Sequence, residues 1–143
     1  MKTKTINIEG KEISLAYCAA TETGFESITG KSVQVFVPKF GKDKEGNDII
    51  TAPADATTQD YILLAVAAII VYYESRKETA PVSVEDIIYE WRPADVTAVI
   101  EAVLEVRNEW YELPKVVVDQ LKAEGDEQDN ADESPNATAP TNV

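Results

Sequence analysis

Lys4-Thr5-Ile6-Asn7-Ile8-Glu9-Gly10-Lys11-Glu12-Ile13-Ser14-Leu15 decides how this chain begins to fold. Ile6 and Ile8 alternate with polar residues, as do Ile13 and Leu15, so each stretch presents one apolar face as a strand. Glu9-Gly10-Lys11 between them supplies the glycine that a tight turn needs, and the pair reads as a β-hairpin in search of a cover. Working outward, Tyr17, Thr21, Phe25 and Ile28 recur at helical spacing and Gly30 stands at a left-handed C-cap position. The spacing predicts a helix over the hairpin, with Phe25 and Ile28 in the core. Cys18, early in that helix and the single cysteine, reads as a small packing residue and allows no internal disulfide.

Further on, Val33, Val35 and Val37 alternate, which predicts a third short strand that Pro38 ends or confines to an edge. The polar stretch from Lys39 to Ala56, with Gly41, Gly46 and Pro53, reads as a long surface loop. Asp43, Glu45, Asn47 and Asp48 within it do not make a calcium loop, because Lys42 and Lys44 interleave and no glutamate closes the run. Thr57, Thr58 and Asp60 form a cap region ahead of the apolar run Tyr61 to Tyr73, the central helix. A membrane span needs about 20 apolar residues, so this shorter run reads as a core helix, with one face left for a partner as the alternative. Ser83 and Asp86 have cap spacing for a short helix through Tyr89, and Pro93 opens an amphipathic helix carrying Val96, Val99, Ile100, Val103, Leu104 and Val106 to Trp110. Glu101, Glu105 and Arg107 read as its wet side. Pro114 stops it, Val116 to Leu121 reads as one more short helix, and the acidic stretch beyond Lys122 lacks the apolar residues to fold alone.

The reading is an α+β protein: an N-terminal β-hairpin or small antiparallel sheet packed on a four- to five-helix bundle. Residues 1–122 form a single domain, followed by a disordered acidic C-terminal tail over 123–143. Thirteen Lys and Arg against 26 Asp and Glu give a formal charge of −13, which repels phosphate backbones and anionic lipid surfaces alike. Met1-Lys-Thr-Lys4 leads into alternating residues instead of an apolar signal core, so the expected place is the cytoplasm. The chain has no histidine, which removes Ser-His and Cys-His nucleophile systems and the commonest general base and zinc ligand. No phosphate-binding glycine loop is present, and neighbouring carboxylates are unavoidable in so acidic a chain. A non-enzyme with no cofactor and no metal is expected.

Ile6, Ile8, Gly10, Lys11 and Glu12, followed by a helix ending in Phe25, Glu26, Thr29 and Gly30, resemble the start of bacteriophage tail assembly chaperones, over about a fifth of the chain. The resemblance implies a binding protein of the host bacterial cytoplasm, from a phage or a prophage. Its implied partner is the tape measure protein, with the tail tube protein as a second candidate and a homo-oligomer as a further arrangement. Large amphipathic rings give binding energy at little entropic cost, so Tyr89, Trp91, Trp110 and Tyr111 are the candidate partner-binding residues, with core packing as their alternative role. A small self-associating structural or adaptor protein is the competing function.

Overall fold

Alternation and turn chemistry act together at the N-terminus. In a computed structural model that describes residues 1–111, β1 (Lys2–Ile8) pairs antiparallel with β2 (Lys11–Tyr17), Ile6 opposite Ile13 and Ile8 opposite Lys11. Glu9 and Gly10 link them with φ of 52° and 83°, the two positive values that let a two-residue turn follow the strand twist. Asn7 Oδ1 steadies this turn by accepting from the Gly10 N–H at 2.9 Å. Ile13 to Tyr17 are buried on both faces of β2. The outer edge of β2 is closed by side chains: the Ser14 N–H donates to the Tyr73 hydroxyl at 3.1 Å, and Thr21 Oγ1 donates to the Ala16 carbonyl at 2.8 Å.

α1 (Ala19–Thr29) follows directly. Gly30 closes it at φ 72°, with its N–H donated to the Glu26 carbonyl, as its position predicts. Two expectations are corrected here. Tyr17 belongs to β2, so the buried stripe of α1 is Thr21 and Phe25, while Ile28 in the last turn is 52 % exposed. Cys18 is the N-cap and is half-buried, since a cap residue stands at the helix boundary instead of on its inward face. The alternating valines do not form a strand either. Val33–Phe36 is a 3₁₀ turn capped by Ser32 Oγ, which accepts from the Gln34 N–H. Three residues per turn put Val33 and Phe36 on one side, and Phe36 is buried between the rings of Phe25 and Tyr61, at 5.0 and 5.1 Å between centroids. Burial of that ring outweighs the β preference of the valines.

α2 (Thr58–Ser75) opens on a reciprocal cap: Thr57 Oγ1 accepts from the Asp60 N–H and the Asp60 carboxylate from the Thr57 N–H. Lys31 Nζ lies 3.1 Å from both oxygens of Asp60. Burial works against that carboxylate's charge, yet the Thr57 amide and Lys31 hold its pKa below the ordinary value. Ile62 and every residue from Leu64 to Ile69 are buried, so α2 is the spine of the core. Ser83 and Asp86 make the same reciprocal cap for α3 (Val84–Tyr89), and Pro93 sits in the first turn of α4 (Pro93–Trp110). Val99, Ala102, Val103 and Val106 are its buried face. Arg107 departs from the expected wet side: its guanidinium lies 5.2 Å from the Tyr111 ring centroid, and its Nε is buried.

Residues 38–53 form a compact unit apart from 1–37 and 54–111. The loop expected between Lys39 and Ala56 is largely a second hairpin, β3 (Lys39–Lys42) antiparallel to β4 (Asp48–Ala52), Phe40 opposite Ile50. Its turn is built by Asp43, whose carboxylate accepts from the Glu45 and Asn47 N–H groups at 2.9 and 2.8 Å, with Gly46 at φ 84°. Asp43 and Asn47 thus serve the turn itself, and Asp48 pairs with Lys42. Among the described residues the protein is thus α+β, with two antiparallel two-stranded sheets and four α-helices. None of these helices is long and apolar enough to cross a membrane. The helix expected at Val116–Leu121 and the tail 123–143 lie outside the described residues.

Candidate functional site

α4 separates the four candidate rings into two pairs. Trp91 precedes its first turn and Trp110 ends it, and 17 steps of about 1.5 Å put roughly 25 Å of helix between the pairs. Tyr89 and Trp91 stand at one end, Trp110 and Tyr111 at the other, so they are not one surface.

At the C-terminal end of α4, Trp110 is half-buried against the main core, and Tyr111 is 45 % exposed. The Tyr111 hydroxyl is bound to Glu22 Oε2, which also accepts from the fully buried Tyr17 hydroxyl at 2.8 Å. The Tyr17 and Tyr111 rings lie 6.5 Å apart between centroids. Burial first, and the hydrogen bond to the Glu22 carboxylate second, push both phenol pKa values up, so each stays a proton donor. This cluster fixes the end of α4 to α1 and β2, and its polar atoms are already in use.

The other pair borders open apolar surface. Ile87 turns into a small core with Ile62 and Val66, and Trp91 packs at the edge of this core and of the main one. Ile88 and Tyr89 are 46 % and 79 % exposed. Between the β1–β2 turn and α3 lies an open groove of about 290 Å³, with Ile8, Ile13, Val82 and Trp91 among its walls and Glu9, Lys11, Asp86 and Glu90 at its borders. Asp86 and Glu90 are one helical turn apart, which puts them on the same side of α3. About 100° per residue then places Tyr89 beside Asp86 on the helix surface, away from Ile87. Arg92 Nε reaches Glu9 at 3.8 Å, a pair in which both side chains are mostly exposed.

Sequence reasoning found Tyr89 and Trp91 but not the hairpin's share of this groove, because Ile8 and Ile13 read only as core. One signal was available: Glu9 occupies a turn position that favours Asn, Asp or Gly. Sequence reasoning also missed one exposed ring, Phe40 on β3, 54 % exposed. Among the described residues no cluster of three or more His, Cys, Asp or Glu side chains is arranged to hold a metal ion. The arrangement offers apolar contact edged by charge, the chemistry of a binding surface. Comparison with protein-family models, with characterised proteins and with solved structures finds no match in any of the three.

Proposed function

We propose that this protein is a non-catalytic tail assembly chaperone of a bacteriophage or prophage, which binds the tape measure protein in the host cytoplasm and keeps it dissolved during tail assembly. The observation that carries the reading is the N-terminal order: a hairpin turning at Glu9-Gly10 into Lys11 and Glu12, a β2 buried from Ile13 to Tyr17, and at once a helix with Phe25 inside and Gly30 at its left-handed end. In this reading residues up to 122 act as one domain, the hairpin laid over helices, and the acidic stretch 123–143 adds charge. A long helical partner with an apolar stripe aggregates when unshielded, and many copies of an acidic protein offering apolar surface would cover it. The charge of −13 keeps such a complex dispersed. Exposed Ile88 and Tyr89 supply contact area, and Tyr89, at 79 % exposed, has the freest ring of the four candidates.

Co-expression with the tape measure protein tests the reading. The partner should move to the soluble fraction and co-purify with more than one copy of this protein per chain, since a helix rises about 1.5 Å per residue and a long one exceeds the reach of one small domain. The complex should survive added salt, because apolar contact is not screened. A partner that stays insoluble, while this protein forms a homo-oligomer of fixed size, would replace the reading with a self-associating structural or adaptor role.

A further inference from the structure

We propose that the groove between the β1–β2 turn and α3 is a docking site for an amphipathic segment that presents a large apolar side chain flanked by Lys or Arg. The inference deepens the chaperone reading and rests on it for the partner, the apolar stripe of the tape measure protein. Apolar walls from Ile8, Ile13, Val82 and Trp91 suit one bulky aliphatic or aromatic group. Around that opening stand Glu9, Asp86 and Glu90 against Lys11, with Arg92 paired weakly to Glu9, so the border keeps a net negative charge. A side chain entering the groove brings its sequence neighbours against this acidic border, so cationic neighbours are attracted and acidic ones repelled. The chain's overall charge acts in the same sense at longer range.

Glu9 gives a second, independent indication. Its φ of 52° is left-handed, a conformation in which a Cβ is crowded and which Asn, Asp and Gly tolerate better. Among the described residues no hydrogen bond of its side chain offsets that strain. Its side chain is exposed, and among the described residues its one ion pair is the weak contact with Arg92 at 3.8 Å. What the residue does gain is a long carboxylate at the groove's edge. Strain held at a residue that borders an apolar opening points to use of that side chain.

The test uses the full chain and three labelled helical peptides, followed by fluorescence anisotropy at about 0.1 M salt. One carries Leu on one face flanked by Lys, the second has Glu in place of Lys, and the third has Ser in place of Leu. The Leu/Lys peptide should bind about tenfold or more tighter than either of the others. Glu9→Gln keeps the backbone strain and removes the charge; it should weaken that peptide about threefold or more with the melting temperature unchanged. Glu9→Asn should weaken it as much while raising the melting temperature by about 2–5 °C, because the strain is relieved. Glu45→Gln, on the second hairpin, should change neither quantity. Equal binding of the Ser/Lys peptide, no binding of the Leu/Lys peptide, or full affinity in Glu9→Gln would each overturn the proposal. If the peptide series holds but co-expression leaves the tape measure protein insoluble, the groove stands and the chaperone reading falls. If Glu9→Gln dissolves the tape measure protein as well as the parent does, the chaperone reading stands and the groove falls.

Discussion

The chain builds two hairpins, and each is held by a different kind of interaction. β1–β2 is held by what covers it: Ile13 to Tyr17 are buried, Tyr73 caps the Ser14 N–H, and Thr21 caps the Ala16 carbonyl. β3–β4 is held through its own turn, where Asp43 gathers the Glu45 and Asn47 amides, while every residue of both strands stays at least partly exposed. An isolated two-stranded hairpin is marginal in water. The first therefore draws its stability from tertiary burial, and the second from local hydrogen bonds. Matched substitutions in the two regions should separate these sources.

The largest contrast is expected between two phenylalanines. Phe25 is fully buried against Phe36, and Phe40 is 54 % exposed. Phe25→Asp places an unpaired carboxylate in the core and should cost about 4 kcal/mol or more, enough to unfold much of the population without denaturant. Phe40→Asp should stay within about 0.5 kcal/mol. Urea unfolding of both variants reads the difference. A matched loss at Phe40 would mean that its ring is buried in solution, and an unchanged midpoint for Phe25→Asp would remove the core assigned to the first hairpin.

A smaller contrast comes from the hydrogen bonds that hold each hairpin. Tyr73→Phe deletes the acceptor of the Ser14 N–H, and Ser14 is 7 % exposed, so a buried donor is left unpaired at about 1–2 kcal/mol. Asp43→Ala should leave global stability within about 0.5 kcal/mol while the Glu45 and Asn47 amides lose hydrogen-exchange protection. Glycines give a third comparison. Gly10 at φ 83° and Gly46 at φ 84° both meet open space where a Cβ would stand, so alanine at either adds backbone strain alone, about 1 kcal/mol. Gly10→Ala should lower the global midpoint by that amount, and Gly46→Ala should act only on amides near its own turn. Equal global effects would show that the two turns contribute alike to cooperative unfolding.

The same distinction explains what could be read in advance. Elements stabilised by burial leave a period in the sequence: Ile6, Ile8, Ile13 and Leu15 gave the first hairpin, and the run from Tyr61 to Tyr73 gave α2. Caps were legible as well, because Gly30, Thr57 with Asp60, Ser83 with Asp86, and Pro93 act within one turn of where they stand. The second hairpin leaves almost no period, since Phe40 and Ile50 are its cross-strand apolar pair amid polar residues, and its information lies in Asp43, Gly46 and Asn47. The valines at 33, 35 and 37 misled for the converse reason: a single buried ring, Phe36, settled a segment that alternation described wrongly. At the candidate site, composition picked out aromatic rings but not their neighbours. The separation of Trp91 from Trp110 follows from the length of α4, whereas the meeting of the β1–β2 turn with α3 depends on tertiary packing that no local pattern encodes.

The smallest predicted effect is one of pH, and it sharpens the comparison most directly. Asp43's carboxyl lies below its ordinary value of 3.8, held there first by the Asn47 backbone N–H, with modest desolvation opposing, and then by the Asn47 side chain and the Glu45 amide. Its pKa is thus lower in the folded turn than in the unfolded chain, so protonation favours opening. The stabilisation is complete above the ordinary value and is lost as pH falls through the folded one. Between pH 7 and about 5 the exchange protection of the Asn47 amide, corrected for intrinsic rates, should be flat; below about 3.8 it should fall. In the first hairpin the corresponding acceptor is Asn7 Oδ1, a neutral amide that does not titrate, and the Gly10 N–H it holds should keep its protection through the same window. Asp43→Asn should remove the pH dependence at Asn47 without creating one at Gly10. Protection lost together at Gly10 and Asn47 would mean that acid opens both hairpins through a common event, and the separation between a burial-held and a turn-held hairpin would fail.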